Sequence, residues 1–146
     1  MEVDTVVALS QNKNIIGIKE ATGDLNLGEQ IIKKCRKDFI VLSGDDKTCM
    51  DLAARGGKGV IGVVTHLVAD KIKAIYQKIE AGNQSAAKEL EKYFLLIDSI
   101  YLEANPIPIK YALKKIKVIE SEELRLPLVS LRDDLRPKLD RALEIL

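Results

Sequence analysis

Tryptophan is absent from this sequence and aromatic residues make up only 4% of it. A platform of flat side chains for stacking nucleobases is therefore excluded. A charge excess is missing too. The 23 Lys and Arg residues face 22 Asp and Glu, for a formal net charge of +1, whereas a nucleic-acid surface needs a basic excess on one face. Cysteine is scarce. Cys35 and Cys49 form no Cys-x-x-Cys pair and have no histidine near them, so neither a redox motif nor a zinc site is expected and no metal enters the reading. Two reduced, packed thiols fit a cytoplasmic protein. Nowhere does an apolar run approach the ~20 residues needed to span a bilayer. The start, Met1-Glu2-Val3-Asp4, lacks a basic stretch followed by an apolar one, so we expect no signal peptide and no membrane partner.

What is present is ordinary for a globular chain: 47% hydrophobic and 31% charged residues over 146 positions. That length supports one sizeable core. It falls short of the ~250 residues of a complete (β/α)8 barrel.

Short apolar runs alternate with amphipathic stretches. Residues 1–11 carry Val3, Val6, Val7 and Leu9 and read as the end of a helix. Asn14 to Lys19 is rich in isoleucine and short, which favours a buried strand. Thr22-Gly23-Asp24 is turn chemistry, with Asp24 placed to cap the helix over 25–37. Phe39 to Ser43 predicts a second strand, and Asp45 or Asp46 can cap the helix that follows. Gly56-Gly57 stops that helix, and Gly59 to Val64 predicts a third strand. Thereafter helices are expected over 68–81, 85–102, 105–116 and 132–145, with Pro137 in the first turn of the last or kinking it. The pattern predicts an α/β fold, a partial TIM barrel of about three parallel βα units followed by C-terminal helices. We divide it into residues 1–82, the partial barrel, and 83–146, the helical region. Three parallel strands with helices on one side leave an open face, which favours association.

Alternation along the first strand puts Ile15, Gly17 and Lys19 on one face and Ile16 and Ile18 on the other. The apolar face suits the outer helices. Lys19 ends the strand beside a glycine that leaves space near the amine, and strand C-termini are where barrel active sites form. In a dry site a lysine loses hydration and its pKa falls. The neutral amine can then attack a ketone to form an imine. Most strand-end lysines merely reach for solvent, so the neighbouring segments decide between the two.

Gly17-Ile18-Lys19-Glu20-Ala21-Thr22-Gly23-Asp24 resembles the Schiff-base lysine motif of the dihydrodipicolinate synthase family. Leu42-Ser43-Gly44-Asp45-Asp46, Gly56-Gly57-Lys58-Gly59-Val60-Ile61, Asn105-Pro106-Ile107-Pro108-Ile109-Lys110 and Leu124-Arg125-Leu126-Pro127-Leu128 agree with it in order and spacing. The last two favour this family over aldolase relatives such as N-acetylneuraminate lyase. The resemblance covers nearly the whole chain and corresponds to the C-terminal half of the family's enzymes. It implies a lyase in which Lys19 forms a covalent imine with pyruvate, without a separate cofactor. The enamine adds to aspartate semialdehyde on the route to lysine and diaminopimelate. Gly44 and Ile61 match positions lining the pyruvate pocket. On structural grounds alone they read as a glycine for turn geometry and a barrel-core isoleucine.

The chain departs from the family at Gly62-Val63-Val64-Thr65-His66, where Ser-Val-Thr-Ala-Asn is usual. His66 is the single histidine, and we read it as a loop or packing residue. The family's threonine pair, tyrosine relay and substrate-binding arginine have no counterpart, since neither Gly-Thr-Thr nor Tyr-Tyr-Asn occurs. Asp45-Asp46 reads as capping rather than metal binding, and Lys110, Lys114, Lys115 and Lys117 as a solvated helix face. The resemblance implies a homo-oligomer, or a complementary N-terminal half on another chain. The competing readings are a catalytically inactive half-barrel that self-associates, and a different activity on the same scaffold.

Overall fold

The computed structural model describes residues 1–146. Two compact units form: Met1–Gly62 with Lys71–Leu90, and Val63–Asp70 with Glu91–Leu146. This grouping differs from the division expected at 82/83, because the long helix Thr65–Glu80 contributes to both units.

In the first unit the order is α1 (Val3–Ser10), β1 (Gly17–Glu20), α2 (Leu25–Lys34), β2 (Ile40–Ser43) and α3 (Cys49–Ala54). Asp24 starts α2 as expected. It is extended, and its carboxylate accepts the amides of Asn26 and Leu27 at 2.9 and 3.1 Å, satisfying two otherwise orphaned donors. Lys33 and Lys34 close the helix where its dipole is negative. β1 and β2 pair in parallel, with Gly17 opposite Ile40 and Lys19 opposite Leu42. Val6, Ile31, Phe39, Val41 and Leu52 form the buried core, with Ile15 and Ile18 packed against it. Each such side chain contributes about 1.5–3 kcal/mol by leaving water. At Gly28 on α2, an added Cβ would lie 2.6 Å from Leu52 Cδ1, so α2 and α3 pack closely there.

Two features of β1 differ from the expected arrangement. Alternation does not extend back to Ile16, which is 68% exposed while Ile15 joins the core. Pairing starts only at Gly17, and the period of two holds only within the paired segment. Ile18 therefore faces the helices and Lys19 the open side. The reason for Gly17 also differs: a Cβ there would sit 2.4 Å from the Ile40 carbonyl oxygen. Close approach of β2 requires the glycine, not room beside the amine.

The expected third strand, 59–64, shrinks to one parallel bridge between Val60 and Ser43. Ser43 donates to the Gly59 carbonyl and Ile61 to the Ser43 carbonyl, both at 2.8 Å. Beyond it Gly62 sits directly on the Asp46 side chain, where a Cβ would lie 1.8 Å from Oδ1. The backbone then turns into α4 (Thr65–Glu80), which is kinked at Val68.

Gln84–Tyr93 is a 3₁₀ stretch, followed by α5 (Phe94–Ile100). This replaces the single helix expected over 85–102. The buried residues Ala87, Leu90, Tyr93 and Leu96 recur every third position, the period of the tighter helix. In the second unit α5, α6 (Ile107–Lys115) and α7 (Arg136–Leu143) pack together. Pro106 precedes α6, and Pro137 lies in the first turn of α7. Tyr111 donates to Asp140 Oδ1 at 2.9 Å and Lys115 to Oδ2 at 2.8 Å, which joins α6 to α7. No helix is long and apolar enough to cross a membrane.

Candidate active site

The site starts from the strand end. Lys19 is the third residue of β1, and its methylene stem lies along Gly44. A Cβ added at Gly44 would be 2.5 Å from Lys19 Cε and 2.6 Å from Ala21 Cβ. Gly44 is not in a left-handed conformation, so turn geometry does not explain it. Contact with the lysine stem does. The Gly44 amide also donates to the Glu20 carbonyl at 2.6 Å, tying the two strand ends together.

Glu20 points the opposite way from Lys19 and is buried. Its Oε1 accepts the Thr22 amide at 2.8 Å, Thr22 Oγ1 accepts the Asp24 amide at 3.1 Å, and Asp24 caps α2. Three alternate side chains thus satisfy the backbone of the loop after the lysine. Sequence reasoning assigned Asp24 and missed Glu20. That local pattern is usual for Thr22 and Asp24 but not for a glutamate, so no sequence rule pointed to Glu20. Gly23 completes this turn at φ +75, facing the Asp45 carboxyl.

After β2, Ser43 Oγ donates to the Asp45 carbonyl at 3.0 Å. Asp45 Oδ1 accepts both the amide and the hydroxyl of Thr48, at 2.9 and 2.8 Å. Asp45 thus closes the turn ahead of α3 rather than capping the helix as expected: the N-cap is Thr48, and no side chain caps it. Asp46 is buried against Gly62.

Lys19, Ile16, Ile40, Leu42 and Ile61 line a shallow groove of about 230 Å³. This overturns the expectation of a dry pocket. Lys19 is exposed, Ile61 is 51% exposed rather than buried in a barrel core, and Ile40 is 39% exposed. Two strands and a bridge do not surround the amine, and no other element of this unit covers it. Gly44 and Lys19 are brought together, with Ile61 on the same groove wall. His66 is exposed, and its Nδ1 donates to the Val63 carbonyl at 3.0 Å at the start of α4, a turn-closing contact.

Parallel strands joined through helices, with a lysine at one strand's C-terminal end, form part of a β/α barrel. Residues 1–146 match the Dihydrodipicolinate synthetase family, and the chain belongs to that family. It is 43% identical over 141 residues to the 4-hydroxy-tetrahydrodipicolinate synthase of Buchnera aphidicola subsp. Schizaphis graminum, covering 96% of this chain and 48% of that one. The corresponding Bdellovibrio bacteriovorus protein is 42% identical over 132 residues, covering 90% and 45%. Among solved structures, dihydrodipicolinate synthase from Acinetobacter baumannii complexed with pyruvate superposes with a TM-score of 0.92 at 35% identity, over 98% of this chain and 49% of its own. The Thermotoga maritima enzyme also gives 0.92, at 32% identity, over 98% and 50%. The chain spans about half the length of the relatives it matches.

Proposed function

We propose that Lys19 is the imine-forming lysine of a carbon–carbon lyase in lysine and diaminopimelate synthesis. The amine attacks the pyruvate carbonyl carbon, and water leaves to give the imine. Loss of a methyl proton gives the enamine, whose carbon adds to the aldehyde of aspartate semialdehyde. Hydrolysis then returns the free lysine. Gly44 supports the lysine stem and Ile61 forms the groove wall beside the bound keto acid. The protonated imine is itself the electron sink, so the reaction needs no separate cofactor. The observation that carries this reading is the packing of the Lys19 stem on Gly44 at a strand C-terminus, in a chain similar to an enzyme solved with pyruvate.

The test is to incubate the protein with pyruvate, reduce with borohydride and map the adduct by mass spectrometry. A stable adduct confined to Lys19, and lost in Lys19→Ala, is expected. Adducts scattered over exposed lysines would sink the assignment.

The exposure of Lys19 favours a second reading for this chain by itself, a catalytically inactive half-barrel that associates through its open face. Positioned general acids and bases contribute about 10²–10⁴-fold, and no such group stands at the groove. An adduct without turnover of aspartate semialdehyde would mark an imine site that needs a complementary chain. A concentration-dependent oligomer with no adduct at all would mark the inactive scaffold.

A further inference from the structure

Two of the segments that carry the family resemblance, Asn105–Lys110 and Leu124–Leu128, do not line the Lys19 groove. Both belong to the second unit, and the fold brings them to one place. Pro106, Lys110, Glu123, Leu124, Arg125 and Leu128 line a cleft of about 590 Å³, within the size range of small-molecule sites. Lys110 is half-buried, and its ammonium donates to the Glu123 carbonyl. That bond uses one of three N–H donors and fixes the charge at the cleft wall. The Arg125 guanidinium is exposed and has no protein partner, so its planar fork is free to take an anion in bidentate fashion. Glu123, which also lines the cleft, adds one negative charge to this segment. Two cations and one anion leave a single positive charge, which matches a singly charged carboxylate better than a phosphate dianion. Pro106, Leu124 and Leu128 supply apolar surface beside it.

We propose that this cleft binds a small amphiphilic monocarboxylate. Its carboxylate lies between Arg125 and Lys110, and its apolar tail rests on Pro106, Leu124 and Leu128.

Hexanoate is the probe, titrated into the whole chain and followed by ¹H–¹⁵N NMR, with acetate and inorganic phosphate in parallel. Saturable shifts around Lys110 and Arg125 are expected with hexanoate, and weaker ones with acetate, which has no tail. Arg125→Gln is expected to weaken hexanoate about ten- to hundredfold, the loss that follows from removing a charged hydrogen-bonding partner. Because Arg125 is exposed and unpaired, the remaining resonances of that variant should be unmoved. Lys110→Gln is expected to act in the same direction. Absence of saturation, or equal binding by wild type and Arg125→Gln, overturns the proposal. Tighter binding of phosphate than hexanoate overturns the assignment of a carboxylate.

Discussion

Replacing Gly44 by alanine tests how the lysine is held. The new methyl would meet Lys19 Cε at 2.5 Å and Ala21 Cβ at 2.6 Å, against about 3.5–4.0 Å for carbon atoms in favourable contact. The lysine stem is flexible and exposed, so it moves aside with little effect on stability. Ala21 Cβ is fixed to the backbone of a hydrogen-bonded loop and has to retreat by roughly 1 Å. Overpacking of this kind costs about 1–3 kcal/mol. One side of the site is open, so the low end applies, about 1 kcal/mol and a fall in Tm of about 2–4 °C. The chemical effect is larger. An amine displaced by about 1 Å can lose about 10²-fold in rate. The assay is the initial rate of borohydride-trapped pyruvate adduct at Lys19, beside a thermal melt. A second variant, Gly44→Ala with Ala21→Gly, relieves the backbone-linked clash and leaves the clash with Cε. It should recover Tm while trapping stays slow. If trapping in Gly44→Ala matches wild type, or returns together with Tm in the double variant, the stem contact does not position the amine.

Further outcomes follow from other parts of the structure. Burial, reinforced by the nearby Asp46 carboxylate, pushes the Cys49 thiol up to about 12. Unfolded cysteine ionises near 9, so above that pH the unfolded state loses its proton first. Stability should then fall by about 1.4 kcal/mol per pH unit between about 9 and 12; guanidinium unfolding of wild type and Cys49→Ala at pH 8 and 10.5 checks this, and equal pH slopes refute it. With a thiol reagent at neutral pH, Cys35 should react in the native state and Cys49 only after unfolding. Asp24→Ala removes the acceptor of two amides and should cost about 1 kcal/mol by chemical denaturation; no loss would mean water caps α2 equally well. Burial works against the Asp140 carboxylate, but hydrogen bonds from Lys115 and Tyr111 outweigh it and hold its pKa below the usual range. Its stabilisation is present above the unfolded value near 3.9 and is lost as pH falls through the lower folded value. The stability gap between wild type and Asp140→Asn should therefore close in acid, and a gap constant from pH 7 to 3 refutes the assignment.

The arrangement around Lys19 was legible where local rules govern. The turn at 22–24 and the capping Asp24 start α2 as expected, while the isoleucine-rich run read as a strand over 14–19 yields one only over Gly17–Glu20. The rules failed where distant groups decide. Ile16 was assigned by alternation, yet its burial depends on pairing that begins one residue later. Gly44 looked like a turn residue because sequence shows no lysine stem lying across it. The strand over 59–64 met its composition rules, but Gly62 packs on Asp46 and ends the pairing after one bridge. The dry pocket was inferred from a strand-end position alone. Burial is the sum of everything nearby, and the elements of this unit leave that side of the sheet open. The convergence of Asn105–Lys110 with Leu124–Leu128 was invisible for the same reason: a loop brings them together, and no periodicity records it.

The absence of a side chain at position 17 has one more consequence. Its α-carbon lies so near the Ile40 carbonyl that only glycine fits. Sliding β1 by one residue either way would drive the branched carbon of Ile16 or Ile18 into that oxygen. The position therefore works as a key that admits a single alignment of the two strands, and through it the amine two residues on is delivered to Leu42 and the strand end at Gly44.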